Sequence, residues 1–124
     1  MNRHQQREKL MQALYSYLLV DKQLADVLDE LHSSSESTNE YYYDVCEVLH
    51  EHEEEYASFI AENVQDWDYD RLGYVERAIL LLALSEYKGL HYDKAIVINE
   101  AVVLAKTYCD EDTYKLINGV LDKA

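Results

Sequence analysis

Apolar side chains recur at three- and four-residue steps along most of this 124-residue chain, and each such run predicts an amphipathic helix. No helix breaker falls between residues 3 and 19, where Leu10, Ala13, Leu14, Tyr17 and Leu18 form one stripe. Arg3, Arg7 and either Leu10 or Met11 run along a neighbouring face of the same helix. Asp21 is placed to cap a second helix, in which Leu24, Val27, Leu28 and Leu31 keep the spacing until His32 ends it. The polar, low-complexity stretch from Ser33 to Asn39 reads as a mobile loop, and Thr38 or Asn39 caps the next helix. This third helix spans roughly residues 40 to 65, with Tyr42, Val45, Leu49, His52, Tyr56, Phe59 and Val64 on or near one stripe and acids on its other faces.

Asp66-Trp67-Asp68-Tyr69-Asp70 reads as a compact turn pinned by its aromatics, with Asp70 capping a short turn that leads to Gly73. From Tyr74 to Lys88 the chain is apolar nearly all the way round, the mark of a central helix buried by its neighbours. Lys88-Gly89 predicts its stop, with the glycine in the left-handed position. Asp93 starts a helix to about Tyr108 that is buried through Ile98, Ala101, Val102 and Ala105. Asp110, Glu111 and Asp112 favour the positive end of a last helix, which packs Leu116, Ile117, Val120 and Leu121. The pattern therefore predicts six or seven helices, an all-α fold, and one domain without an internal repeat.

Composition narrows this picture. Proline is absent and only three glycines occur, which suits helices joined by short turns. No apolar run approaches the roughly 20 residues of a membrane span, and Asn2 to Lys9 lacks the apolar stretch of a signal peptide. The expectation is a cytoplasmic chain with no membrane role, in which Cys46 and Cys109 are structural thiols. The formal charge of -14 is uneven, with no lysine or arginine between Lys22 and Arg71. That middle segment repels phosphates. Up to Lys22, by contrast, Arg3, Arg7, Lys9 and Lys22 stand against Glu8 and Asp21, so any nucleic-acid contact leans on this end.

Candidate chemistry is sparse. Glu47-x-x-His50, with Asp29-x-x-His32 as a second copy, has the one-turn carboxylate and imidazole step of a helical metal site. The two further glutamates that a di-iron bundle needs cannot be assigned, and the segment reads as a solvated acidic face; neither a metal nor a cofactor is expected. No nucleophile elbow, phosphate loop or dinucleotide fingerprint occurs, so catalysis is not expected. Of the twelve tyrosines, Tyr41, Tyr42 and Tyr43 sit among acids and read as packing residues, whereas Tyr15 lies on the basic helix.

Three C-terminal runs carry a family signal: Gly73-x-Val75-Glu76-x-Ala78-Ile79-Leu80, Ile98-Asn99-Glu100-Ala101-x-x-Leu104-Ala105-Lys106, and Asn118 to Lys123. With Gln12-Ala13-Leu14-Tyr15-Ser16 near the start, this ordered set resembles the NusB family of bacterial transcription antitermination factors. The resemblance implies a compact helical bundle of two small subdomains, about 1–65 and 66–124. It implies a partner, NusE, a ribosomal protein of the small subunit, and a ligand, the single-stranded boxA element of nascent ribosomal RNA transcripts. It further implies a place in the RNA polymerase antitermination complex, and a free protein that is a monomer or homodimer.

The same resemblance assigns residues. Arg3 and Arg7 keep two places of the family's N-terminal arginine cluster, and His4 and Gln5 stand where arginines are usual. Gln12, Tyr15, Asp112 and Lys115 match RNA-side positions, while Leu116 replaces a phenylalanine that could stack on a base. Tyr15 and Glu76 match the side that faces NusE. Asp93 stands for a proline at a helix start, and Leu81 for an arginine. The competing reading is an acidic protein-protein adaptor on this scaffold that has lost direct RNA binding.

Overall fold

The computed structural model describes residues 1–20, 22–33, 39–64 and 72–124, with Ser33 described by its backbone alone. Six α-helices occur in the order α1 (Arg3–Leu19), α2 (Leu24–Ser33), α3 (Glu40–Asn63), α4 (Tyr74–Leu84), α5 (Lys94–Tyr108) and α6 (Thr113–Asp122). There is no strand among the described residues. Most of the expected Ser33 to Asn39 loop, the Asp66 to Asp70 turn and the Asp21 cap lie outside them.

Helix starts obey local chemistry. Asn2 and Gln5 form a reciprocal capping box, the Asn2 side chain accepting the Gln5 N–H at 2.9 Å and the Gln5 side chain accepting the Asn2 N–H at 3.0 Å. Asn39 caps α3 through the Tyr41 N–H, and Asp93 caps α5 through the Ile96 N–H at 3.1 Å. Asp93 thus does by hydrogen bonding what a proline at that position would do by its fixed backbone. α6 starts without a side-chain cap, although Asp112 occupies the N-cap position.

α4 is the central helix, packed against α1, α3, α5 and α6, and its seven consecutive residues Ala78 to Leu84 are all buried. Leu81, at the position of the family's arginine, is among them. Each such leucine contributes about 1.5–3 kcal/mol through burial. On α5 the buried stripe is Val97, Ala101, Leu104 and Ala105, one residue round from the expected one. Val97, Ala101 and Leu104 face Ile79, Leu82 and Ala83 of α4, whereas Ile98 and Val102 line an open groove beside Asn118 and Asp122 of α6 and stay half-buried.

The end of α4 corrects a second expectation. The helix widens into a π-helical turn, Ser85–Gly89, in which the Ser85 hydroxyl donates to the Leu81 carbonyl at 2.8 Å. Gly89 is not left-handed; the residue with positive φ is His91, at 60°. Gly89 is required for space instead, because a Cβ there would collide with the methyl groups of Val48 on α3. The π turn has a consequence for the interior: it brings Glu86, an acid in an otherwise apolar segment, to the inside.

Candidate nucleic-acid interface

The exposed side of α1 is built on a polar seam with α5. His4, Glu8 and Gln12 share one helix face at four-residue steps. His4 Nδ1 lies 3.1 Å from Glu100 Oε2, and Gln12 Nε2 donates to the Tyr108 hydroxyl at 2.9 Å. Both pairs are 96 residues apart in the chain, so α1 and α5 run parallel. Glu76, in the first turn of α4, acts on the thiol of Cys109 at the end of α5, beside the Tyr108 to Gln12 bond, so α4 runs antiparallel to α5 and to α1. Arg7 accordingly meets Glu86 at the C-terminal end of α4. Tyr15, eight residues further on, lies about 12 Å along α1, towards the first turn of α4 where Glu76 sits. The helix pairing therefore brings Tyr15 and Glu76, the two expected partner-facing residues, to the same end of the bundle.

Arg7 is not on the exposed face. Its side chain is 8% exposed and donates from Nε to both Glu86 oxygens, at 3.0 and 2.9 Å, and from Nη2 to Oε1 at 2.7 Å. Glu100 stands 3.9 Å from Nη1. Burial lowers the Arg7 pKa, but the hydrogen bonds and charge of Glu86 outweigh that effect and hold the guanidinium above its ordinary value. The resemblance groups Arg7 with Arg3 in an RNA-facing arginine cluster, but here the face holding Arg7, Leu10 and Met11 turns into the core. A buried carboxylate requires a matched cation, and Arg7 supplies it for Glu86.

Arg3 remains at the surface. Its guanidinium lies 4.1 Å over the Tyr41 ring, and Nη1 donates to the Tyr92 hydroxyl at 3.0 Å. Tyr41 is buried and donates its hydroxyl to Glu86 Oε2 at 2.9 Å, so the Arg3 site and the Arg7 pair share one scaffold. Burial, followed by the charge and hydrogen bond of Glu86, pushes the Tyr41 phenol well above its usual range. Tyr42 is buried as expected, whereas Tyr43 is exposed.

Asp112 and Lys115 stand at the start of α6, 3.4 Å apart and largely solvent-exposed. The Gln12 to Tyr108 bond ties α1 to the α5–α6 corner from which they project. Leu116 is half-buried against the core. Glu76 folds its carboxylate back towards Gly73 at the α4 N-terminus, where a Cβ would collide with it. Its charge, after burial, helps push the Cys109 thiol up to about 12, and burial pushes Cys46 up to about 11; both thiols are therefore unreactive at neutral pH.

Sequence reasoning missed Glu86, Tyr41, Tyr92 and Tyr108 as parts of this surface and its support, whereas Glu100, read as a residue of hydrogen-bonded structural or contact role, pairs with His4. Glu86 had a signal, since an acid inside a run that is apolar all round needs a buried cation. The acidic face of α3 holds no metal cluster among the described residues. Glu47 and His50 are exposed, His52 pairs with Glu55 at 2.8 Å, and the His32 ring accepts the Asn39 N–H. None of the described helices is long and apolar enough to cross a membrane.

Comparison with known proteins places this geometry. A model of the NusB family matches residues 4–124. The transcription antitermination protein NusB of Sulfurovum sp. (strain NBC37-1) is 39% identical over 123 residues, covering 97% of this chain and 95% of that protein. NusB of Exiguobacterium sp. (strain ATCC BAA-1283 / AT1b) is 38% identical, with 98% and 94% covered. Among solved structures, T. maritima NusB superposes with a TM-score of 0.86 at 25% identity, covering 99% of this chain and 89% of that one. A crystal structure of antitermination factors NusB and NusE in complex with dsRNA gives 0.82 at 30% identity, with 99% and 96% covered. These relatives are antitermination factors, not enzymes. Family model, full-length identity and superposition agree, and this chain belongs to the NusB family of transcription antitermination proteins.

Proposed function

We infer that this chain joins NusE and captures boxA-like single-stranded RNA on the exposed face of α1, within the cytoplasmic RNA polymerase antitermination complex. The observation that carries this reading is the row Arg3, His4 and Gln12, held at the surface by contacts from α1 to Tyr92 and α5, with the exposed Tyr15 one turn beyond Gln12. Asp112 and Lys115 extend the row at the α5–α6 corner. Arg7 serves it from inside, by fixing α1 to the end of α4. Tyr15 and Glu76, at the opposite end of the α1–α4 pair from Arg7, form the NusE side, and the acidic body attracts a basic ribosomal protein. A related NusB solved together with NusE and dsRNA supports both partners.

With Arg7 withdrawn, two or three cations meet phosphates, and the log-log salt slope is about -1.4 to -2 for single strands. Titrating labelled boxA RNA with and without NusE tests the reading. NusE is expected to tighten binding, and no gain on its addition sinks the proposal. The adaptor reading is favoured by the internal pairing of Arg7 and by the His4 to Glu100 contact. It wins where the chain binds NusE and the complex never retains RNA; otherwise Arg3→Ala is expected to weaken RNA binding while sparing NusE binding.

A further inference from the structure

Tyr108 ends α5, is 37% exposed and is not among the aromatic side chains that pack on the core. Its hydroxyl accepts from Gln12 Nε2 at 2.9 Å, and the nearby Glu8 carboxylate adds to the burial that raises the phenol's pKa. Gln12 of α1 thus ties the phenol to the seam, so the ring is held in place before any ligand arrives. Other surface tyrosines are differently engaged. The Tyr74 ring carries the Arg77 guanidinium at 5.1 Å, the half-buried Tyr114 ring carries Lys106 at 4.6 Å, and Tyr43 lies on the acidic third helix.

The charge around Tyr108 narrows what it can hold. Glu8 lies one turn before Gln12 on α1, and Asp110, Glu111 and Asp112 follow Tyr108 in the chain, which disfavours a phosphate against the ring itself and leaves phosphate contact at this corner to Lys115. An uncharged planar group meets no such penalty, and the face of an unpaired nucleobase is one. Gln12, bonded to the Tyr108 hydroxyl, lies one turn before Tyr15, the exposed tyrosine of α1. Leu116, half-buried on α6, offers no ring.

We propose that Tyr108 is a base-stacking residue of the RNA surface, seating one unpaired nucleobase at the α1–α5 seam beside Gln12. The inference rests on the RNA reading of α1 and adds a contact that the resemblance does not assign. Stacking depends on the ring and not on the hydroxyl, so the aromatic and aliphatic replacements separate it from a packing role. With NusE present, Y108L is expected to weaken binding of boxA-like RNA by about 5- to 150-fold, while Y108F stays within about threefold of the parent. RNA carrying 2-aminopurine at successive positions reports stacking directly. Quenching at one position is expected with the parent and with Y108F, and is lost with Y108L. Circular dichroism melts confirm that each variant is folded. If the parent binds RNA and Y108L binds within twofold of it, or quenches equally, the stacking role is overturned and the wider reading stands. If the parent itself does not bind RNA beside NusE, both are overturned together.

Discussion

Removing the Glu86 carboxylate is the most direct test of how this scaffold presents α1. Glu86→Ala leaves the Arg7 guanidinium, 8% exposed, without its bidentate partner and leaves the buried Tyr41 hydroxyl without an acceptor. Glu100, 3.9 Å from Nη1, is too distant to replace the three short bonds. Breaking a buried pair by deleting one member costs about 3–5 kcal/mol, against a total stability of roughly 6–19 kcal/mol for a domain this size. With an unfolding entropy near 0.26 kcal/mol per kelvin at this length, the melting temperature is expected to fall by about 12–19 °C. Circular dichroism melts at pH 7 measure it. The triple replacement R7M/E86L/Y41F removes every unmatched polar group and is expected to recover most of that loss. On the proposed RNA reading it is also expected to retain RNA binding beside NusE, whereas Arg3→Ala weakens that binding, because there Arg7 acts by holding the helix and Arg3 by touching the ligand. A melting temperature for E86A within 3 °C of the parent, or a triple variant less stable than E86A, would refute the account.

Two further outcomes are expected from buried groups and close approaches. Cys46 has a folded-state pKa of about 11 against an ordinary 9, so the neutral thiol is favoured by folding. Its contribution is complete below pH 9 and is lost as pH rises towards 11; urea titrations at pH 8 and pH 11 are expected to differ by on the order of 2–3 kcal/mol from this thiol. Cys46→Ala removes that part of the slope, and an unchanged slope refutes the assignment. Gly89→Ala pushes a methyl into the Val48 side chain and is expected to destabilise by about 1–3 kcal/mol in urea. G89A/V48A should recover part of this, and a neutral G89A would show that the π turn does not need its glycine.

Much of the helical framework was legible because its determinants are local. α1 covers the predicted residues 3 to 19, and Asn39 and Asp93 cap α3 and α5 as their sequence neighbours suggest. The errors arose where a residue answers to a distant one. Gly89 looks like a helix stop because glycine most often serves as one, yet its smallness is needed against Val48, 41 positions earlier. His91 takes the left-handed backbone instead, a conformation in which histidine is enriched among non-glycine residues, though a neighbouring glycine hides that weaker signal. Arg7 looks solvent-facing on a helical wheel, since a wheel cannot show an acid 79 residues away on the inside of a π turn. The seam contacts of His4 and Gln12 with α5 were hidden for the same reason.

The cations of the α1 side differ in how readily they are released to an incoming phosphate, and this sets what the surface can do. Arg7 would have to leave a buried carboxylate, at a cost far above what one solvent-screened phosphate returns. Arg3 lies on Tyr41 with one bond to Tyr92, so the rest of its donor fork can meet a ligand while the ring stays beneath it. Lys115 is 67% exposed, and its pair with Asp112 is of the kind worth about 0–1 kcal/mol, so little opposes exchange of that carboxylate for a phosphate. On the RNA reading proposed above, Arg3 and Lys115, one at each end of the seam, are the cations most readily released to phosphates. Two such contacts are few against a net charge of -14, and a partner that brings its own positive charge to the RNA is the physical complement this surface requires.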